Sequence, residues 1–287
     1  MSYNGNRGLV AFDCDDVLKR YTPADIVVPL DRESVEGMAI LKGKGFDSHL
    51  IASGKSTDYL LQVVAETTRL YGLGTRFFDD LRLIGETGAV VIHMNNGTMR
   101  EEYVAPQDGY RRLAEALGDD GIYVLKRAIE QGLTPNTTWT KFQLGGVSGN
   151  VTHEPKKAIR TLLFNPHSAV EPARDAIQTT IDRYNLPFHL HHAITPYGGY
   201  IDIVQKGVDK TTGLRLERNI ALEQMRVIVD GKNDLPMVEF VKSGSRAVGN
   251  ATPEVKTAVI GHGGFVAKGN VGEGVLEIAQ QERALFS

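Results

Sequence analysis

The residues of this chain that could do chemistry begin with Asp13-Cys14-Asp15-Asp16, where the apolar run Leu9 to Phe12 ends abruptly in carboxylates. A buried strand over Leu9 to Phe12 would present Asp13 and Asp15 together at its C-terminal end, the edge of an open α/β sheet where ligands bind. Carboxylates crowded there repel strongly unless a cation or a shared proton offsets the charge. Asp also suits turns and helix N-caps, so this segment alone is balanced between chemistry and simple turn formation. Three later segments tip the balance. His49-Leu-Ile-Ala-Ser53-Gly54-Lys55 is a second apolar strand ending in a hydroxyl and a glycine. Gly207-Val-Asp-Lys210-Thr-Thr-Gly sets a lysine at the start of a helical pattern. Val227-Ile-Val-Asp230-Gly231-Lys-Asn233-Asp234-Leu-Pro236 is a third strand running into paired carboxylates.

Taken in order, Asp-x-Asp, Ser, Lys and Asp-x-x-Asn-Asp resemble the motifs of the haloacid dehalogenase superfamily of phosphotransferases, over most of the chain. Connecting segments resemble its Cof-like, sugar-phosphatase branch. Leu30 to Ser53 is similar to the helix and strand before the second motif. Gly85-Glu-Thr-Gly-Ala89 is similar to that branch's Glu-Asn-Gly-Ala turn, and Val248-Gly-Asn-Ala251 to its Met-Gly-Asn-Ala segment. There are departures. Asp16 stands where glycine is usual and Val17 where threonine is common. Val229 replaces a glycine and would crowd a metal site slightly. None of these removes a catalytic group.

The resemblance implies roles. Asp13 would be the nucleophile and form an aspartyl-phosphate, splitting one hard step into two. Asp15 would protonate the leaving oxygen and then take a proton from the attacking water. Ser53, the N–H of Gly54 and Lys210 would hold the phosphoryl oxygens. Mg2+ would be held by Asp13, the backbone carbonyl of Asp15 and Asp230. Asp234 would hold a bound water or orient Lys210, and Asn233 would position its neighbours at the substrate end. A charge count points the same way: Asp13, Asp230, Asp234 and a phosphate dianion carry roughly five negative charges near one point, which calls for a hard, oxygen-preferring cation.

Each feature has a plainer alternative. Ser53 before Gly54 reads by itself as a cap or turn residue, Lys210 as a solvated surface lysine, and Asp230-Gly231 as a turn pair. Their joint occurrence in family order is what favours chemistry. His189, His191 and His192 suggest a metal cluster, yet in a strand only the first two share a side, and the plain structural reading is favoured. Gly207 to Gly213 lacks the glycine spacing of a Walker loop, and no Gly-x-Gly-x-x-Gly marks a dinucleotide site.

The elements that must position these residues follow from periodicity. Strand 9–12, helix 33–44, strand 48–52 and a helical stripe of Leu60, Val63, Val64 and Leu70 closed by Gly72 give a βαβα rhythm, hence a parallel sheet covered by helices. The pattern changes at Ile84 to Ile92. Helices near 107–117 and 119–132 follow, with strands 138–144 and 158–164. A helix carrying Val170, Ala173, Ile177, Ile181 and Tyr184 precedes strands 188–194 and 200–204, which suggests an antiparallel sheet with helices on one face. The parallel rhythm resumes after Lys206, with strand 226–229, helices opening at Pro236 and at Thr252-Pro253, and a last helix near 274–283. The expected fold is therefore α/β: a Rossmann-like parallel-sheet core, residues 1–85 and 205–287, interrupted by an inserted α+β domain, residues 86–204. That insertion resembles the C2-type cap of the superfamily, which would close over the site and select the substrate. Lys141, Arg160 and the histidines near 190 are candidates to face it.

At 287 residues, 41% hydrophobic and 23% charged, the chain is an ordinary soluble globular protein with room for this architecture. A net charge of −3 gives no basic surface for nucleic acid. Cys14 alone excludes an internal disulfide framework and, between two aspartates, reads as a small residue rather than a nucleophile. Met1 to Arg7 is polar and no apolar run reaches membrane-spanning length, so no membrane partner and a cytoplasmic location are expected. The leading reading is a Mg2+-dependent phosphatase acting on a small phosphorylated metabolite, a sugar phosphate above all. The alternative is a phosphomutase. Residues Phe142 to Thr152 and Gly198 to Ile203 are loosely similar to cap strands of phosphomannomutases, although the arginines that grip a second phosphate are not evident beside them. A phospho-accepting receiver module ranks last, since such modules are far shorter and lack an inserted domain. The oligomeric state is not legible.

Overall fold

All five residues of β1 (Leu9–Asp13) are buried. A strand apolar on both faces belongs inside a parallel sheet with helices above and below. α1 (Arg32–Gly43), β2 (Ser48–Ala52), α2 (Thr57–Tyr71) and β3 (Leu81–Gly85) continue the rhythm, and β4 (Val90–Asn95) and β5 (Thr98–Val104) extend it. A second series follows: α3 (Asp108–Asp119), α4 (Tyr123–Glu130), β6 (Thr140–Leu144), β7 (Val147–Glu154), β8 (Arg160–Asn165), α5 (Val170–Arg183), β9 (Phe188–Thr195) and β10 (Gly198–Gln205). The chain then returns through α6 (Thr211–Leu216), β11 (Met225–Val229), α7 (Leu235–Val241), β12 (Ser245–Ala247), α8 (Pro253–Gly261), β13 (Phe265–Val266) and α9 (Val271–Gln281). This computed structural model describes residues 8–22, 26–74, 76–95, 97–131, 139–144, 146–154, 156–195 and 198–285. The polar stretch Met1–Arg7, the start of the strand expected at residue 138 and the end of the helix expected at 132 lie outside them.

The chain divides into two compact units, one formed by residues up to Tyr103 and from Asp209 onward, the other by Val104–Val208. The first unit holds an eight-stranded sheet in the order β13-β12-β11-β1-β2-β3-β4-β5. Pairings from β13 through β3 are parallel, and β4 runs antiparallel to β3. Alternation along β1 splits its side chains between two cores. Val10 and Phe12 pack with Val35 and Met38 of α1, Leu60 and Val63 of α2 and Val275 and Ile278 of α9. Leu9 and Ala11 pack on the other face with Leu214 of α6, Met237 and Val238 of α7 and Val255 and Val259 of α8. Local chemistry bounds α2: Ser56 Oγ accepts from Tyr59 N–H at 3.2 Å, and Gly72 closes the helix in the left-handed region at φ 60°. Its buried stripe ends at Thr67, and Leu70, expected on it, is exposed.

The second unit holds a five-stranded sheet, β6-β7-β8-β10-β9, with antiparallel pairing throughout. Phe142, Val151, Leu162, Phe164, Ile201 and Ile203, at alternating positions, pack with α3, α4 and α5 in a core of their own. The insertion thus begins at Val104 and not at residue 86. The physical reason is pairing: β4 joins β3 edge to edge and β5 joins β4, so both belong to the first sheet. β7, which sequence periodicity passed over, reads Val-Ser-Gly-Asn-Val-Thr-His-Glu; it buries Val151 in the core and packs Val147 partly buried against it, four residues apart and with polar residues between. Among the described residues no helix is long and apolar enough to cross a membrane.

Candidate active site

Sheet order brings the chemistry together. β1 pairs parallel with β2 on one side and β11 on the other, with Asp13 level with Ala52 and Phe12 level with Ile228. Ser53 and Asp230 are therefore the first residues past the sheet on either side of Asp13. The chain winds away from β1 in opposite directions here, the switch point at whose carboxyl edge open α/β sheets bind their ligands. Lys210 arrives from the start of α6 and Asp234 from the helical turn that leads into α7.

Asp13, Asp230 and Asp234 each bring a carboxylate oxygen to within 4.8 Å of the others. Lys210 Nζ lies between them, 2.6 Å from Asp13 Oδ1 and 2.6 Å from Asp234 Oδ1, with the lysine wholly buried. The second oxygen of Asp234 accepts the N–H groups of Asp230 at 3.3 Å and Gly231 at 3.1 Å, which folds the loop back on itself. Asn233, in that loop, is exposed, and its Oδ1 lies 2.5 Å from where a Cβ on Gly231 would stand. A side chain at Gly231 would require Asn233 to turn aside.

One ammonium faces three carboxylates, and the titration behaviour shows the imbalance. Burial, then the charge of Asp234, pushes Asp13 up to about 7. Burial, then the charges of Asp13 and Asp234, pushes Asp230 up to about 9. Burial opposes the charge on Lys210, but Asp13 and Asp234 outweigh it and hold the proton on. An excess of oxygen donors and negative charge in one buried locus fits a hard divalent cation held by Asp13, Asp230 and Asp234.

Beside this locus, Ser53 Oγ donates to Asp15 Oδ2 at 3.3 Å and accepts Lys55 N–H at 3.1 Å. Gly54 lies between Ser53 and Lys55, partly exposed. Asp15 Oδ1 receives two ammonium groups, Lys19 at 2.6 Å and Lys55 at 3.2 Å. Asp16 occupies the left-handed region at φ 59°, which explains why glycine is usual there, and its side chain accepts Tyr21 N–H at 3.0 Å. Asn250 donates to the Asp16 carbonyl at 2.8 Å, tying the loop after β12 to the loop after β1. Cys14 is buried, and burial and Asp15 push its thiol well above the usual range.

Lys19 and Lys55 were invisible as site residues in the sequence, because a single lysine in a loop carries no period and no motif. The turn after β3 was noticed only as a likeness. In the structure it braces two strands' worth of chemistry: Thr87 N–H donates to Ser53 O at 3.1 Å and Glu86 N–H to Lys55 O at 2.7 Å. Gly88, at φ 100°, approaches so closely that a Cβ there would stand 1.8 Å from Asp209 O, next to Lys210. One expectation changes. Val229 is fully buried in the apolar cluster of α7 and α8, so its side chain packs in the core. Arg160 points to the helix side of the second sheet, donating to Ile129 O at 3.1 Å over the Tyr110 ring at 4.5 Å. On the opposite face, Nε2 atoms of His189 and His191 are 3.0 Å apart, while His192 meets Arg174 of α5. Lys141 is exposed on that opposite face.

Residues 30–277 match the family described as haloacid dehalogenase-like hydrolase; β1, with Asp13 and Asp15, precedes the matched span. No match is found among curated proteins. Among solved structures, a haloacid dehalogenase-like hydrolase from Bacteroides thetaiotaomicron is similar at 17% identity and a TM-score of 0.61, covering 96% of this chain and 99% of that one. BT1666 from the same organism, one of the phosphatases of the superfamily, is similar at 16% identity and a TM-score of 0.60, covering 98% and 97%. A HAD/COF-like hydrolase from Plasmodium vivax is similar at 18% identity and a TM-score of 0.58, covering 96% and 95%. At these identities the likeness speaks to fold, and it spans both units.

Proposed function

The chain belongs to the haloacid dehalogenase-like hydrolases, and on that premise we propose that it is a Mg2+-dependent phosphomonoester hydrolase acting on a small phosphorylated metabolite, a sugar phosphate. The observation that carries the reading is Lys210, buried between Asp13 and Asp234 at 2.6 Å from each, with Asp230 beside them at the open end of β1. A phosphate ester repels nucleophiles by its own charge, so catalysis is chiefly positioning and neutralisation. Bound by Asp13, Asp230 and Asp234, a magnesium ion would supply the positive charge that three carboxylates and a phosphate lack.

The residues divide the work. An oxygen of Asp13 attacks phosphorus, forming the aspartyl-phosphate as the bond to the leaving oxygen breaks. Asp15 gives its proton to that oxygen, then as carboxylate takes one from water attacking the same phosphorus, which releases phosphate and restores Asp13. Ser53 and the Gly54 N–H donate to phosphoryl oxygens, and Lys210 keeps Asp13 and Asp234 in register. Asn233, exposed in the loop after β11, would position its neighbours for the substrate. The sugar-phosphate class rests on the likeness of residues 85–89 and 248–251 to the sugar-phosphatase branch.

The test is phosphate release from sugar phosphates, phosphoglycolate, nucleotides and p-nitrophenyl phosphate, with and without Mg2+, beside Asp13→Asn. Metal-dependent release that disappears in the variant is expected. Failure on every ester, together with phosphoryl exchange between sugar phosphates when a sugar bisphosphate is added, would replace hydrolysis with a mutase reaction.

A further inference from the structure

Lys19 has no solvent exposure and Lys55 is 7% exposed, yet neither side chain has a part in the chemistry described above. Removing an ammonium from water is costly, and an apolar side chain would fill the same volume at less cost. Both lysines converge on one atom, Asp15 Oδ1, at 2.6 and 3.2 Å. Their remaining donors are used as well. Lys19 Nζ donates to the Arg20 carbonyl at 3.2 Å and Thr22 Oγ1 at 3.3 Å. Lys55 Nζ donates to the Thr22 carbonyl and to Tyr59 Oη at 3.3 Å. The Tyr59 ring lies 5.5 Å from one ammonium and 4.3 Å from the other, and the Tyr21 ring 4.8 Å from Lys55. The frame is thus saturated and rigid. It leaves Asp15 its other oxygen, Oδ2, clear of both ammonium groups and held by the Ser53 hydroxyl alone, which donates to it at 3.3 Å.

We propose that Lys19 and Lys55 are positioning residues that seize one oxygen of Asp15 and thereby aim the other, Oδ2, at the leaving oxygen held beside Ser53. This inference rests on the phosphatase reading. Proton exchange with the leaving group and with water runs through Oδ2, and Oδ1 takes no part. Loss of the frame lets the carboxylate swing about its side-chain torsions, and small displacements of a proton donor cost rate steeply.

The test uses the full-length, Mg2+-loaded enzyme and a double-mutant cycle of Lys19→Met with Asp15→Asn. Against a sugar phosphate, whose alkoxide leaves poorly, Lys19→Met should lower kcat roughly ten- to a hundredfold, with KM within about twofold. Against p-nitrophenyl phosphate, whose leaving group needs little protonation, the loss should be smaller. Lys19→Arg should restore part of the activity, and in the Asp15→Asn background Lys19→Met should cost nothing further. Lys55→Met serves as the second variant, with the same pattern, should Lys19→Met fail to fold. Equal losses in both backgrounds, equal losses of kcat/KM on both substrates, or a change confined to KM would overturn the positioning role while leaving the phosphatase standing. A wild-type enzyme inactive on every ester would take down the parent reading first.

Discussion

At the scale of single residues, the site is a charge imbalance held in place by one lysine. Asp13 and Asp230 titrate at 3.8 in an unfolded chain but are raised to about 7 and about 9 when folded. Over that window the folded protein keeps protons that the unfolded chain has already released, so stability falls as pH rises from about 4 toward 9. Melting in a chelator should show the midpoint dropping across this range, and added Mg2+ should flatten the curve. A flat profile without divalent ions would contradict the imbalance. Lys210→Met removes the partner of two buried carboxylates, and a loss of about 3–5 kcal/mol in metal-free urea unfolding is expected. The residues of this cluster were legible because they end apolar runs in a fixed order. What could not be read was the grip on Asp15, since Lys19, Lys55 and Tyr59 meet through tertiary placement and none is marked by its neighbours in sequence.

At the scale of elements, β2 and the turn after β3 bear the load. His49 sits inside β2, edge-on to Phe12 at 5.5 Å, and burial followed by the charge of Lys42 lowers it from 6.5 to about 3. A depressed histidine is neutral in the fold while the unfolded chain takes up a proton, so stability is lost as pH falls from 6.5 toward 3. The full loss is on the order of 5 kcal/mol, and His49→Leu should remove that acid limb from a stability–pH profile. Gly88→Ala forces a side chain onto Asp209 O in a left-handed turn, and a loss exceeding about 2 kcal/mol is expected in urea unfolding. Because the same turn abuts Lys210, the variant should also lose Mg2+-induced stabilisation. Helix ends such as Gly72 and the strand cores of β1, β2 and β11 were readable from local chemistry and continuous apolar runs. β5 was not, because its exposed Thr-Met-Arg-Glu start offers no buried face, and sheet membership there comes from pairing alone.

At the scale of the whole molecule, two compact units share one chain. Each unit has its own buried cluster, so unfolding should not be a single two-state event, and calorimetry should give a calorimetric enthalpy larger than the van't Hoff value. A ratio of one would mean the units melt together. An insertion was foreseeable from the switch between parallel and antiparallel rhythms, while its starting residue was not, since β4 and β5 change direction without leaving the first sheet. The central position of β1 has a further consequence for synthesis on the ribosome. Its partner β11 begins at Met225, so β1 must wait with one backbone edge unpaired until that later strand has been made. Residues 104–208, contiguous and with a core of their own, can close first, inside a host that is still incomplete. The inserted unit can therefore mature before its host, and the hydrolase has no functioning site until Lys210, Asp230 and Asp234 have emerged.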